Sequence, residues 1–344
     1  MNSVFWIGTR NNQVRFRQVW ILSIAFVVLA TMGIGAMTRL TGSGLSIVEW
    51  KPLSGAVPPL NETEWSQEFL RYQEFPEFKS NPNVTLEDFK TIFWWEFTHR
   101  LIARSLIFVI LIPFLFLVLK KEATGRDLRK LILLLLMGAV QGALGWYMVK
   151  SGLVQVPRVS HFRLMVHFIW ASLIIAYLAR WLREENTNTQ SKQTSSERLF
   201  LRVLGGLCLG QMALGALVAG SRAGYIYNTF PKFGDTWWPQ KFLIFPTLTE
   251  NLFYNQINLQ LFHRLGAWLM VIAAVYALIK KYYLIGSLIF LQFVLGILTL
   301  VLMVPPPVAT LHQLCGVVLF FVLRYEEHPL SVVRGRPLPN ATER

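Results

Sequence analysis

Six histidines stand in a chain of 344 residues, and four of them, His99, His167, His263 and His312, fall in or at the ends of long apolar runs. An ionisable group is expensive to place in hydrocarbon, so such residues are functional candidates from the outset. Neutral imidazole ligates metal ions and the iron of heme. Two histidines on facing helices can reach one iron from opposite sides, and helix bundles commonly build ligand sites in this way. One pair in each half of the chain, His99 with His167 and His263 with His312, would hold two hemes. His161 at a helix mouth and His328 near the C-terminus have no counterparts in this pattern and are read as non-ligands.

Other groups gather around these four. Glu96 precedes His99 by three residues, which puts both on one face of a helix. A carboxylate there can hydrogen-bond a heme group, move a proton, or face water. Arg100 and Arg264 each follow a histidine directly, and Arg39 sits in TRLTGSGLS. Arginine binds carboxylates bidentately, so each is a candidate partner for a heme propionate, and each can equally snorkel to the membrane interface. A zinc or copper ion held by all four histidines is an alternative, but the apolar runs contain no Asp to complete a shell. Cys208 and Cys315 fall inside apolar runs and are read as packing residues, although Cys315 follows His312 by only three.

The elements that must carry these residues are transmembrane helices. Hydrophobic residues make up 53% of the chain and charged residues 15%, where soluble proteins carry about 25%, and the mean hydropathy is +0.43. Spanning hydrocarbon takes roughly 20 apolar residues. The runs place eight spans at 18–37, 97–119, 131–149, 161–182, 199–219, 261–279, 284–303 and 308–323. The four histidines lie on the second, fourth, sixth and eighth.

The net charge of +14 does not form a nucleic-acid patch, because the basic residues are scattered in short clusters between apolar runs. The clusters at Arg10–Arg17, Lys120–Lys130, Arg180–Arg202, Lys280–Lys281 and Arg324–Arg344 fall on one side, against a sparser set in the long opposite loops. The positive-inside rule then puts both termini in the cytoplasm and all four histidines near the outer face. The first apolar run, of about 20 residues, exceeds a secretory h-region of about 7–15. It reads as an uncleaved helix, and with no Arg- and Ser-rich transit segment before it, the expected location is a bacterial inner membrane with the histidine sites toward the periplasm.

The halves resemble each other. THR at 98–100 matches FHR at 262–264, and QGALG at 141–145 matches QFVLG at 292–296. The expected architecture is all-α, with two pseudo-repeated four-helix bundles side by side. Residues 1–185 form the N-terminal half, 186–198 a cytoplasmic linker, 199–325 the C-terminal half and 326–344 a cytoplasmic tail. Residues 38–96 form a long outer loop rich in aromatics. Within it Asn61 and Glu64 read as a capping pair, with Trp65, Phe69 and Tyr72 on one face of a helix at the membrane surface. Thr85 reads as the cap of a helix that runs on into the second span.

These residues resemble the heme A synthase family. The resemblance rests on MTRLTGSGLSIVEWKPLSGAVPP at 37–59, EFLRYQEFPEFK at 68–79 and FKTIFWWEFTHRLIAR at 89–104. RLMVHF at 163–168, FHRLGAW at 262–268 and ATLHQLCG at 309–316 carry the later histidines. The resemblance follows the proteobacterial and mitochondrial branch, and like it the loop 38–96 lacks the cysteine pair of other members. It implies oxidation of the C8 methyl group of heme O, in two steps, to the formyl group of heme A, the cofactor of aa3-type oxidases. It also implies that His99 and His167 hold the substrate heme O and that His263 and His312 hold a resident heme b. Glu96 matches a glutamate for which a catalytic or proton-handling role is proposed. The partners so implied are membrane lipid, the farnesyltransferase that makes heme O, an electron-transfer protein, oxidase assembly factors and a possible second copy of the chain. Two other readings stay open. A bis-histidine cytochrome b that only transfers electrons shares the four histidines but has no use for Glu96 or the long outer loop. A transporter would need polar residues at mid-membrane, where the spans hold little beyond Gln141 and Gln292.

Overall fold

The computed structural model describes residues 3–50, 54–154, 157–186 and 193–327, with side chains from residue 12 onward. His328, residues 187–192 of the linker and almost all of the tail lie outside the described residues. The chain forms α1 (Ser3–Leu40), α2 (Glu62–Gln73), α3 (Pro76–Ser80), α4 (Leu86–Leu119), α5 (Gly125–Lys150) and α6 (His161–Glu185). It continues with α7 (Ser195–Ser221), α8 (Leu248–Phe253), α9 (Gln256–Ile279), α10 (Tyr283–Val301) and α11 (Pro306–Glu327). Eight of these are long and apolar enough to cross a membrane, namely α1, α4, α5, α6, α7, α9, α10 and α11. They coincide with the expected spans to within a few residues, apart from α1 and α4, which begin well ahead of theirs.

Local chemistry explains where the helices start. Capping boxes of Thr85 with Asp88, Thr124 with Asp127, Thr194 with Glu197 and Thr247 with Glu250 satisfy the first free N–H groups of α4, α5, α7 and α8. Asn61 caps α2 by accepting from the Glu64 N–H. As expected from Thr85, α4 enters the second span without a break. Its 34 residues reach about 51 Å at about 1.5 Å per residue, well beyond the roughly 30 Å of hydrocarbon. The surplus stands out of the membrane and carries the outer-loop structure. Trp65, Phe69 and Tyr72 of α2 do share a face, but that face packs on Phe89 and Phe93 of α4. Edge-to-face and tilted ring contacts hold it there.

α1, α4, α5 and α6 pack by α1 on α4, α1 on α6 and α5 on α6; α7, α9, α10 and α11 form a closed ring. The two sets are not independent. α6 and α11 sit at the centre, each packed on helices of the other set, and one apolar core runs from Trp20 and Ile24 through Ile175 and Trp181 to Leu204, Val317 and Phe320. One contact in the ring has no counterpart: α9 packs along α10, whereas α4 and α5 do not pack along each other. The apolar residues of α4 and α5, among them Ile112, Leu115, Leu119, Leu133 and Leu136, are left exposed as a lipid-facing girdle.

Both long loops lie at one end of the helices, because Arg39 at the end of α1 donates to the Ala219 carbonyl at the end of α7 at 2.9 Å. At the other end Arg17 of α1 pairs with Asp127 of α5 at 3.1 Å, both side chains nearly buried, and donates to the Glu122 carbonyl.

Candidate functional site

His99 and His167 project from α4 and α6, and His263 and His312 from α9 and α11. His263 and His312 face each other with ring centroids 6.4 Å apart and ring planes crossed at 87°. A metal–imidazole bond of about 2 Å on each side, plus the half-width of each ring, spans about 6 Å, so one iron fits between them. His99 and His167 are close enough to interact electrostatically, though among the described residues their rings make no such contact. No three His, Cys, Asp or Glu side chains converge among the described residues. His263 and His312 thus stand as a facing pair, and no four-histidine zinc or copper centre forms among the described residues.

The tautomer needed for ligation is built in. Nδ1 of His99 lies 3.0 Å from the Thr31 carbonyl oxygen, and Nδ1 of His312 lies 3.1 Å from that of Gln292. A carbonyl accepts only, so Nδ1 carries the proton and Nε2 keeps its lone pair for a metal. Nδ1 of His167 and Nδ1 of His263 are buried without a hydrogen bond, and the Gln141 and Gln211 carbonyls are the acceptors that lie toward them. The Gln141 side-chain amide also reaches within 3.3 Å of Nε2 of His167.

A second regularity lies on the helices opposite. Gly35 of α1 faces His99, Gly145 of α5 faces His167, Gly215 of α7 faces His263 and Gly296 of α10 faces His312. A Cβ on these glycines would stand 2.7, 3.1, 3.1 and 2.9 Å from the imidazole Cε1. In every case the carbonyl next to Nδ1 belongs to the residue four positions earlier, one turn back: Thr31, Gln141, Gln211 and Gln292. Sequence reasoning found QGALG and QFVLG but passed over QMALG at 211–215 and TMGIG at 31–35, whose four-residue spacing from Gln or Thr to Gly was the available signal.

Around the histidines the two pairs differ. Glu96, 3% exposed, accepts from the Ser46 hydroxyl at 2.8 Å, the Ile47 N–H at 2.9 Å and Arg100 at 2.6 Å. Arg100 also donates to the Ile47 and Glu49 carbonyls, so the pair ties the first outer loop to α4. Gln260 holds the place three residues before His263. It donates to the Ala223 and Tyr227 carbonyls, while Arg264 donates to Tyr227 and Lys232 and stacks on Phe233. Sequence reasoning missed Gln260, although EFTHR and QLFHR align. Arg39, Arg100 and Arg264, the propionate candidates, are thus all engaged with main-chain carbonyls.

His161 donates to or accepts from no candidate ligand; its Nε2 meets the Phe253 carbonyl. Cys208 is buried, Cys315 lies against Leu288, and both thiols are free. Two cavities of about 290 and 360 Å³ open in the outer-loop region, both lined by Glu77 and neither by a ligand histidine. Burial is the main cause that pushes the Glu77 carboxyl up to about 7, with the Glu96 charge adding and Arg222 opposing.

Residues 18–324 match the family described as cytochrome oxidase assembly protein. The chain is 36% identical to the heme A synthase of Wolbachia pipientis wMel, covering 88% of this chain and 89% of that one. It is 38% identical to the heme A synthase of Nitrosospira multiformis over 91% and 92% of the two chains. The heme A synthase of a Bradyrhizobium species is 38% identical over 94% of each. This chain belongs to the heme A synthase family. The four histidines of this chain rest against four glycine-bearing helices, and the carboxylate three residues before His99 is a carboxamide three residues before His263.

Proposed function

We propose that this chain is a heme A synthase, which oxidises the C8 methyl group of heme O to the formyl group of heme A in two steps. The observation that carries this reading is the opposed pair His263 and His312, spaced for one iron in a chain of this family. The resident group is heme b on His263 and His312, which supplies one-electron chemistry when bound. His99 and His167 hold the iron of the substrate, heme O.

The unequal packing of the two helix sets supports that division. The ring of α7, α9, α10 and α11 is closed, as suits a resident group, whereas α4 and α5 leave a seam toward lipid. Heme O, with its farnesyl-derived tail, is too apolar to leave the membrane freely, and a lateral seam admits it. Gln260 ties its loop by donating to carbonyls, whereas Glu96 is a carboxylate that accepts from three donors, a charged acceptor with no counterpart beside His263. Glu96 therefore holds or moves the proton released as the methyl group is oxidised, while Arg100 and the loop 43–49 close the outer side.

The chain spans a bacterial inner membrane with both termini in the cytoplasm and the histidine pairs toward the periplasm, and its two halves are related by duplication. An electron-transfer protein, the farnesyltransferase, oxidase assembly factors and a second copy of the chain are its proposed partners. Co-expression with a heme O synthase, followed by extraction and mass spectrometry of the hemes, tests the reading. Heme A or its hydroxylated intermediate, absent without this chain, supports it. Heme O accumulating unchanged beside a bis-histidine spectrum would leave the chain an electron-transfer cytochrome.

A further inference from the structure

Imidazole orientation is set by what the ring edge touches as well as by its hydrogen bond. On four helix pairs the edge bearing Cε1 lies over a glycine of the neighbouring helix, where a Cβ would come within 2.7–3.1 Å. An ordinary carbon contact is about 3.5–4.0 Å, so any side chain there must push the ring away. In the C-terminal set the fit is reciprocal. The Gln211 side chain occupies the space beside Gly266, three residues after His263, and the Gln292 side chain that beside Gly316, four after His312. Each Gln-bearing helix thus grips a histidine turn from both sides.

We propose that Gly215 and Gly296 are positioning residues for His263 and His312. Together with the Gln211 and Gln292 carbonyls one turn earlier, they fix the two imidazole planes in their crossed arrangement. Gly35 and Gly145 perform the same task for His99 and His167. The inference rests on the proposed heme ligation. Ring planes crossed at 87° keep the two iron d orbitals that overlap the imidazole π systems close in energy. A low-spin ferric heme with such ligands gives a strongly axial EPR signal, and rotation of either ring toward the other lowers its largest g value. Ligand orientation and its supporting hydrogen bonds are among the levers by which a protein tunes heme.

The test uses the purified full chain, with heme content measured by pyridine hemochromogen and the ferric signal by EPR. Gly296→Ala and Gly215→Ala are compared with Gly210→Ala on the same α7, where a Cβ meets nothing within 4 Å. The expected result is a lower largest g value in the first two variants and the parent signal in the third. An unchanged signal in both, or an equal shift in Gly210→Ala, overturns the proposal. Should Gly296→Ala fail to accumulate, His312→Ala is added to it. Restored accumulation assigns the defect to crowding of that ring, and no restoration overturns the proposal. A parent protein with no low-spin bis-histidine heme would instead sink the heme reading itself.

Discussion

Glu96 and Gln260 occupy the same place in their helices, three residues before a histidine and four before an arginine, and each ties an outer loop to its helix. They differ by a charge. Gln260 does so by donating to the Ala223 and Tyr227 carbonyls, whereas Glu96 accepts from Ser46, Ile47 and Arg100, so an acceptor carboxylate is the feature peculiar to the His99 side.

Glu96→Gln is expected to keep one acceptor oxygen for the Ser46 hydroxyl and the Ile47 N–H and to lose the chemistry along with the Arg100 ion pair. Heme A formation falls at least about 100-fold, the lower bound for a positioned proton-transfer group, and the melting temperature in detergent falls as the Arg100 ion pair is lost. Glu96→Ala also leaves Arg100 without its buried partner, which costs about 3 kcal/mol. Full heme A production by Glu96→Gln would remove the proton-handling role.

The two histidine pairs separate by product and by content. His99→Ala and His167→Ala abolish heme A formation while the purified protein keeps its second heme. His263→Ala and His312→Ala lose that resident heme. Chromatography of extracted hemes, together with hemochromogen spectra of the purified chains, reads both. Heme A made by both His99→Ala and His167→Ala would defeat the assignment.

Glu77 gives a pH signature outside the membrane. Its carboxyl is raised from 4.5 to about 7 in the fold, chiefly by burial, with Glu96 adding, Arg222 opposing and Arg158 lining the same cavity. Between those values the folded chain binds more protons than the unfolded one, so stability falls as pH rises from about 4.5 to 7 and is flat above. Thermal unfolding of Glu77→Gln at pH 5.5 and 8 should show this component gone. Equal pH dependence in parent and variant would contradict it.

Arg17 and Asp127 close the end of the molecule away from the loops, with side chains 11% and 4% exposed. Arg17→Ala leaves Asp127 buried with only its Thr124 hydrogen bonds and removes the donor to the Glu122 carbonyl. Loss of one partner of such a pair costs about 3 kcal/mol, read as a lower melting temperature with heme content per folded chain unchanged.

The eight spans, the capped start of α4, the four histidines and Glu96 were legible in the sequence alone. Hydrocarbon imposes a length and an apolarity that composition records directly, and an ionisable residue inside such a run stands out at once. That His263 and His312 face each other with crossed ring planes, and that α4 and α5 fail to close while α9 and α10 do, appeared only in the tertiary structure. So did the four glycines, since a missing side chain leaves no chemical signal until the ring that needs its space is seen beside it. Gln260 escaped for the same reason: a glutamine in an apolar helix is unremarked until its partners are known. Periodicity and composition report what each helix must face, lipid or protein. Contacts between helices depend on packing across distances that a single chain's local pattern does not encode.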